Sequence, residues 1–204
     1  LSIYFNDSET FTPNETTNEI GEILPNIGGE MEEVGFKMNF WDRRLTATLA
    51  RYNIAQTNVR ENDFEDIDGD GEFESILRAL GTREIEGTDL DLAFQPTDAL
   101  SLFLSYQDMD KAEVGASGLQ ARGVPVGVNY SAIGKYKFLE GSFAGLSVGV
   151  THRSFQERAA DNGDNFRVPG YSLTGLFGSY TKGSWRYQVN IDNLDDKEYV
   201  ETSV

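Results

Sequence analysis

The 204-residue chain has no cysteine, which excludes disulfide scaffolds, cysteine-ligated zinc, iron–sulfur clusters and thiol nucleophiles. Its single histidine, His152, rules out any site that needs two imidazoles. Basic residues are scarce: 17 Lys+Arg stand against 34 Asp+Glu, giving a formal charge of −17 at pH 7 and a sequence pI near 4.3. That sign is wrong for gripping a phosphate backbone, so nucleic acid is not an expected partner. No uncharged run approaches the ~20 apolar residues of a membrane-spanning helix; Gly141–Thr151, for example, is interrupted by Ser and Gly. The mean hydropathy of −0.43 nevertheless fits a transmembrane β-barrel as well as a water-soluble domain, because strands with one apolar and one polar face average out. At 39% hydrophobic and 12% aromatic residues the chain is too apolar to remain disordered. It opens at Leu1 without an initiator Met or basic leader and stops at Val204, so a piece of a longer chain is expected.

What the chain does have is alternation with a period of two. Trp185, Tyr187, Val189 and Ile191 alternate with Arg186, Gln188, Asn190 and Asp192, the pattern of a strand with two different faces. Asp89–Gln95, Leu100–Gln107, Asn129–Phe138 and Leu146–Arg153 repeat it. Leu1–Asn6, Met31–Phe40, Arg44–Val59 and Tyr171–Thr181 carry it with breaks, at Arg51 and Leu173 among others, so nine strands are expected. The alternation assigns Leu90, Leu102, Val148, Val150, Val189 and Ile191 to a lipid-facing side and Asp91, Ser101, Thr151, Gln188 and Asn190 to an interior side.

The connections alternate too. Short ones at 41–43, 96–99, 139–142 and 182–184 interleave with long ones at Asp7–Glu30, Arg60–Thr82, Asp108–Val128 and Ser154–Gly170. Tight turns at one edge and long loops at the other are the pattern of an outer-membrane barrel, whereas a sandwich mixes loop lengths at both ends. Phe40, Trp41, Phe94, Phe138, Phe143, Tyr180 and Trp185 flank the short turns, and Tyr52, Tyr106, Tyr130 and Tyr171 lie near the long-loop ends. Together they read as two aromatic girdles at the two membrane interfaces.

Three stretches resemble the C-terminal half of TonB-dependent outer-membrane receptors of the ferric-siderophore type. Glu33-Val34-Gly35-Phe36-Lys37, with Arg44-Leu45 and Thr57-Asn58-Val59, is similar to that family's "E-x-G-x-K … RL … T-N-V" hairpin. Gly81 through Leu92, with Pro96 to Leu100, resembles its "G-x-x-x-x-x-G-x-E-x-x-L … P-x-x-x-L" segment, with Asp89 in place of the Glu. Val168-Pro169-Gly170-Tyr171 and Asn190 through Tyr199 resemble "V-P-x-Y" and "N-x-x-N-L-x-D-x-x-Y". The resemblance implies an all-β, antiparallel up-and-down meander, about nine strands of a 22-stranded transmembrane β-barrel. Residues 1–204 would all belong to that one barrel domain, with the N-terminal plug and the last strand outside the chain. It also implies a bacterial outer-membrane location, no catalysis, and energised uptake of a ferric siderophore or similar metal chelate. The implied partners are that chelate, outer-membrane lipid, and the TonB energy-transducing complex acting through the plug.

The residues offer little other chemistry. Asp66, Asp68 and Asp70 occupy positions 1, 3 and 5 of a turn with Gly71 at 6, Glu72 at 7 and Glu74 at 9, the spacing that gathers oxygens around Ca²⁺. Leu77 stands at position 12 where a bidentate Glu completes such a loop, so a weak calcium loop through Asp66, Asp68, Asp70, Glu72 and Glu74 is set against a merely solvated acidic turn. The segments Asp7–Glu30 and Arg60–Thr82 hold 6 and 8 of the 34 acidic residues. That acidity supports a second reading, a secreted calcium-dependent β-sandwich binding module. A third, a barrel enzyme, has only His152, for which the sequence supplies neither nucleophile nor orienting acid. Lys37, Lys135, Lys137, Arg153 and Arg186 fall on the polar faces, where they would attract an anionic chelate or, as the simpler expectation, balance interior carboxylates.

Overall fold

Consecutive two-faced segments joined by tight turns pair as antiparallel neighbours, since a hairpin brings back the next strand at the least chain length. The structure, a computed structural model, describes residues 1–18, 21–65, 74–115, 119–160 and 166–201, with side chains except at 60–80 and 119. Its strands are β1 (Ser2–Thr12), β2 (Ile27–Phe40), β3 (Leu45–Glu65), β4 (Glu74–Phe94), β5 (Leu100–Val114), β6 (Leu119–Gln120), β7 (Gly127–Lys137), β8 (Leu146–Phe155), β9 (Arg158–Ala159), β10 (Arg167–Val168), β11 (Tyr171–Lys182) and β12 (Trp185–Ile191). The main sheet runs β1-β2-β3-β4-β5-β7-β8-β11-β12, an antiparallel meander without crossover; β6 adds to β5, and β9 pairs with β10 apart. All nine expected strands are on that path.

Register fixes two faces. Val148 stands opposite Tyr136 and Gly178, and Val189 opposite Gly178; Leu90 opposes Leu49 and Tyr106, and Leu102 opposes Phe94. On the other face Asp91 opposes Thr48 and Ser105, Thr151 opposes Ile133 and Gly175, and Gln188 opposes Ser179. The two sets named from the alternation therefore lie on opposite faces. One is nearly all apolar. The other is mostly polar, with Phe103, Ile133, Leu173 and Phe177 among its large apolar members. Two-residue turns need φ > 0, and Gly183 supplies it at φ +59 between β11 and β12.

Three expectations are corrected. The loop placed at Arg60–Thr82 is largely strand: β3 runs to Glu65 and β4 starts at Glu74 rather than Asp89, with a register shift around Val59. The loops placed at Asp7–Glu30 and Asp108–Val128 are likewise shortened, β1 reaching Thr12 and β5 reaching Val114. The reason is common to all three. Beyond the apolar band both faces are wet, so the ladder continues without an apolar/polar signal to mark it. The third correction concerns the upper girdle. Tyr106 and Tyr130 oppose each other on the apolar face, but Tyr52 opposes Glu33 and Gly87, and Tyr171 opposes Phe155, on the polar face. Tyr52 lies flat over Gly87, where an added methyl would overlap its hydroxyl, and Tyr4 covers Gly35 in the same way. Glycine at these positions is a requirement of close packing rather than of backbone freedom.

Candidate functional site

The polar face and the long-loop end that closes over it are the parts of the fold with something to offer a ligand. At that end the Tyr52 hydroxyl accepts from Gln107 Nε2 at 3.2 Å. Asn129, 6% exposed, donates to the carbonyls of Pro125 and Gly127 at 2.9 and 3.1 Å and accepts from the Gln156 N–H at 2.9 Å. One amide side chain therefore pins the end of the loop that leads into β7 to the start of the loop that leaves β8. Beside them, Asp89 Oδ1 is buried with no hydrogen-bond partner among the described residues.

The loops after β5 and β8 form a roof rather than open tails. Met109, Ala112, Val114 and Ala121 make a small core with Ile85, Val124 and Val126 packed against it. Ala121 and Ala159 have no exposed surface and Val168 has 2%. Gly123 N–H donates to Ala159 O at 2.9 Å, and Arg167 Nη2 reaches Gln120 Oε1 at 2.7 Å, so the two loops are joined. Arg158 is 5% exposed, and its Nη2 donates to the carbonyls of Val200 and Glu201, both at 2.6 Å. The segment after β12 is thereby held against the roof, and Tyr199 stacks on Tyr171 with ring centroids 4.6 Å apart.

The expected balancing of polar-face cations by carboxylates is not found among the described residues. Lys37 Nζ lies 4.7 Å from the Tyr4 ring centroid, a cation–π contact. Lys135, Lys137, Arg153 and Arg186 make no ion pair there, because register gathers the acids Glu33, Asp89 and Asp91 on β2 and β4 and the bases on β7, β8 and β12. Ion pairs gather elsewhere. Arg51 pairs with Asp110 and Glu86, and Lys111 with Glu84 at 2.5 Å and Glu113 at 3.4 Å. Arg51 lies on the Leu49 face two residues beyond it, so the apolar band ends just past the Leu49–Leu90–Tyr106 row.

Of the residues singled out from sequence, Asp66, Asp68, Asp70 and Glu72 lie outside the described residues, as does the Glu74 side chain; the Glu74 backbone pairs with Glu65. Elsewhere, no group of three or more His, Asp or Glu that could hold a metal occurs among the described residues. His152 is on the apolar face as expected, with Nδ1 3.1 Å from Thr174 Oγ1 and its ring 5.8 Å from that of Tyr130. Asn129, Gln107 and Arg158 were not singled out. Alternation assigns Gln107 and Asn129 to strands without marking the partners they reach, and Arg158 lies beyond the alternating segments.

A family model described as TonB dependent receptor-like, beta-barrel, matches residues 29–194. The chain belongs to the TonB-dependent receptor β-barrel family. It is 30% identical to the metal-pseudopaline receptor CntO of Pseudomonas aeruginosa over 209 residues, covering 100% of this chain and 28% of the relative. It is 27% identical to the ferrichrome outer membrane transporter/phage receptor of Escherichia coli K12, covering 97% of this chain and 26% of that one. The chain thus spans between a quarter and a third of the curated relatives' length. Among solved structures it superposes on the siderophore receptor PiuA of Acinetobacter baumannii with a TM-score of 0.79 at 22% identity, covering 98% of this chain and 30% of that one. The ferripyoverdine receptor of Pseudomonas aeruginosa gives 0.75 at 19%, covering 97% and 27%. The tyrosine–amide cluster and the cations share the polar face of this wall, and the roof closes over the long-loop end of that face.

Proposed function

We propose that this chain is barrel wall and extracellular roof of a bacterial outer-membrane receptor that takes up a ferric siderophore or a similar metal chelate with energy from the TonB complex. The observation that carries the reading is the family match over residues 29–194, in a meander whose faces segregate as a barrel wall requires. The names of the relatives support it: they are receptors and a transporter for metal-pseudopaline, ferrioxamine B, ferrichrome and ferric-pyoverdines. The chain has no catalytic task in this reading; its residues position, admit and exclude. Lipid contacts the face of Leu102 and Val148, and nucleic acid has no part. A joined roof anchored by Asn129 and Arg158 suits admission from outside, since it shapes one entrance above the lumen. The Asp66–Glu74 segment, which in sequence joins β3 to β4, lies on the extracellular side in this reading and takes Ca²⁺ weakly.

The test is uptake. The full-length receptor, expressed in a host stripped of its own siderophore receptors, should support accumulation of radioactive iron from at least one chelate of a siderophore panel, and should fail to do so in a TonB-deficient host. Accumulation equal in both hosts, or none from any chelate with the receptor correctly assembled, would overturn the proposal.

A further inference from the structure

The lumenal cations form a file rather than a scatter. Along β8, Arg153 lies opposite Ser131, Gly149 opposite Lys135, and Ser147 opposite Lys137 and Ser179, with Gln188 beyond Ser179 on β12. One step further down, Thr181 opposes Arg186, and the Thr181 N–H donates to Gly145 O at 3.1 Å. From the Arg153 row to the Arg186 row is a run of eight strand residues, about 27 Å along the strands at the usual rise, or about 20 Å of depth at the tilt of barrel strands. The four cations thus descend one sector of the wall from the roofed end to the tight-turn end. All four are exposed on the lumenal face, and none forms an ion pair among the described residues. At the lower end Lys135, Lys137 and Arg186 share a groove of about 540 Å³ with the hydroxyls of Ser179 and Thr181. A carboxylate, Asp192, sits beside Gly175 in the gap between Arg153 and Lys135. The acids on β2 and β4 lie across β5, whose lumenal face carries no charge from Ser101 to Gln107.

A structural role for buried-side cations would place carboxylates against them, as Arg51 and Lys111 have on the outside. Four like charges in file, flanked by neutral hydroxyl donors, instead raise the potential of one strip of lumen. We propose that the lumenal face of β7, β8 and β12 is an anion path, and that the cargo passing it is a metal chelate of net negative charge bearing free carboxylate or phosphate groups. Its charge is attracted at Arg153 and handed down to Lys135 and Lys137, about 7 Å apart along β7, and then across the groove they share to Arg186, one row lower and three strands away at about 16 Å. The cargo assignment rests on the receptor reading above; the potential of the strip does not.

The chain has no cysteine of its own, so once any cysteine elsewhere in the full-length receptor is replaced by serine, a thiol introduced into it in outer-membrane vesicles reports locally. Gln188→Cys places it in the file and Ser105→Cys beside Asp91. Each is reacted with methanethiosulfonates of equal size, one carrying a sulfonate and one a trimethylammonium. Taking the ratio of the two rates cancels differences in thiol ionisation. The sulfonate-to-ammonium ratio is expected to be roughly tenfold higher at Gln188→Cys than at Ser105→Cys, to shrink with added salt, and to collapse when Lys137→Gln and Arg186→Gln are added. Should Gln188→Cys fail to assemble, Asn190→Cys on the same face gives the same reading. Equal ratios at the two positions, or a ratio unmoved by the neutralising substitutions, overturns the anion path while leaving uptake to be judged separately. Conversely, a receptor with the expected ratio but no TonB-dependent uptake keeps the path and loses the cargo.

Discussion

On this wall the environment of a residue is decided by parity along its strand, and adjacent residues can meet opposite solvents. Val148 and Thr151 on β8 show it: Val148 is 42% exposed on the apolar face, between Tyr136 and Gly178, while Thr151 faces Ile133 and Gly175 on the lumenal side. Arginine at Val148 is expected to destabilise the full-length receptor by about 2–4 kcal/mol, as a cation facing mid-bilayer hydrocarbon does, and arginine at Thr151 by much less. Reversible unfolding in lipid vesicles checks it, and equal losses at the two sites would reverse the assignment of faces. The acidic turn is governed by a different balance. Asp66, Asp68 and Asp70 bring three carboxylates within five residues, and a divalent cation relieves their repulsion. Without an acid at Leu77 the expected calcium affinity is roughly 10⁻⁴ to 10⁻³ M. Calorimetric titration of the full-length receptor should show heats that Asp68→Ala and Asp70→Ala abolish; heats unchanged by both leave only a solvated turn.

At the scale of the element, the loops after β5 and β8 are set apart from ordinary connections by how few contacts hold so much. Arg158 is the clearest case, since one 5%-exposed guanidinium serves two carbonyls 42 and 43 residues away. Charge-assisted bonds from a buried group are lost at full desolvation cost when the group is removed. Arg158→Ala in the full-length receptor should therefore speed amide hydrogen exchange in 156–160 and 197–201 by at least about tenfold, about 1.4 kcal/mol of local opening, and leave β7 and β8 protected. Unchanged exchange in 197–201 would show that the Tyr171–Tyr199 stack alone holds the segment. Little of this roof was legible in the sequence. Ala121, Ala159 and Val168 are buried by tertiary packing and have no period, and Arg158 is an arginine in a polar loop. The nine strands were legible because a wall with one apolar and one polar face imposes alternation on Trp185–Ile191 and its neighbours. The same cause explains the errors: past Glu32 and Thr88 both sides are wet, alternation lapses, and the ladders of β1–β2 and β3–β4 run on unannounced. Tyr52 and Tyr171 were misplaced because distance along the chain to a loop was read without its parity.

For the molecule as a whole, the meander has two ends. β1 pairs only with β2, and β12 only with β11, among the described residues. Their apolar faces are the barest on the sheet, with Ile3 and Phe5 67% and 66% exposed and Tyr187 and Val189 62% and 63%. In a bilayer each backbone N–H or C=O left unpaired along such an edge costs several kcal/mol, so a wall of this kind is stable only when further strands complete the cylinder. The chain of residues 1–204 refolded alone into detergent micelles is therefore expected to give mixed oligomers joined edge to edge, with no band whose gel mobility changes on boiling. The full-length receptor, with both edges paired, should give the compact, heat-modifiable monomer of a closed barrel. A monodisperse, heat-modifiable monomer from residues 1–204 alone would mean that β1 and β12 can satisfy each other, and that the lumen drawn here as one sector of a wide barrel is a small closed one.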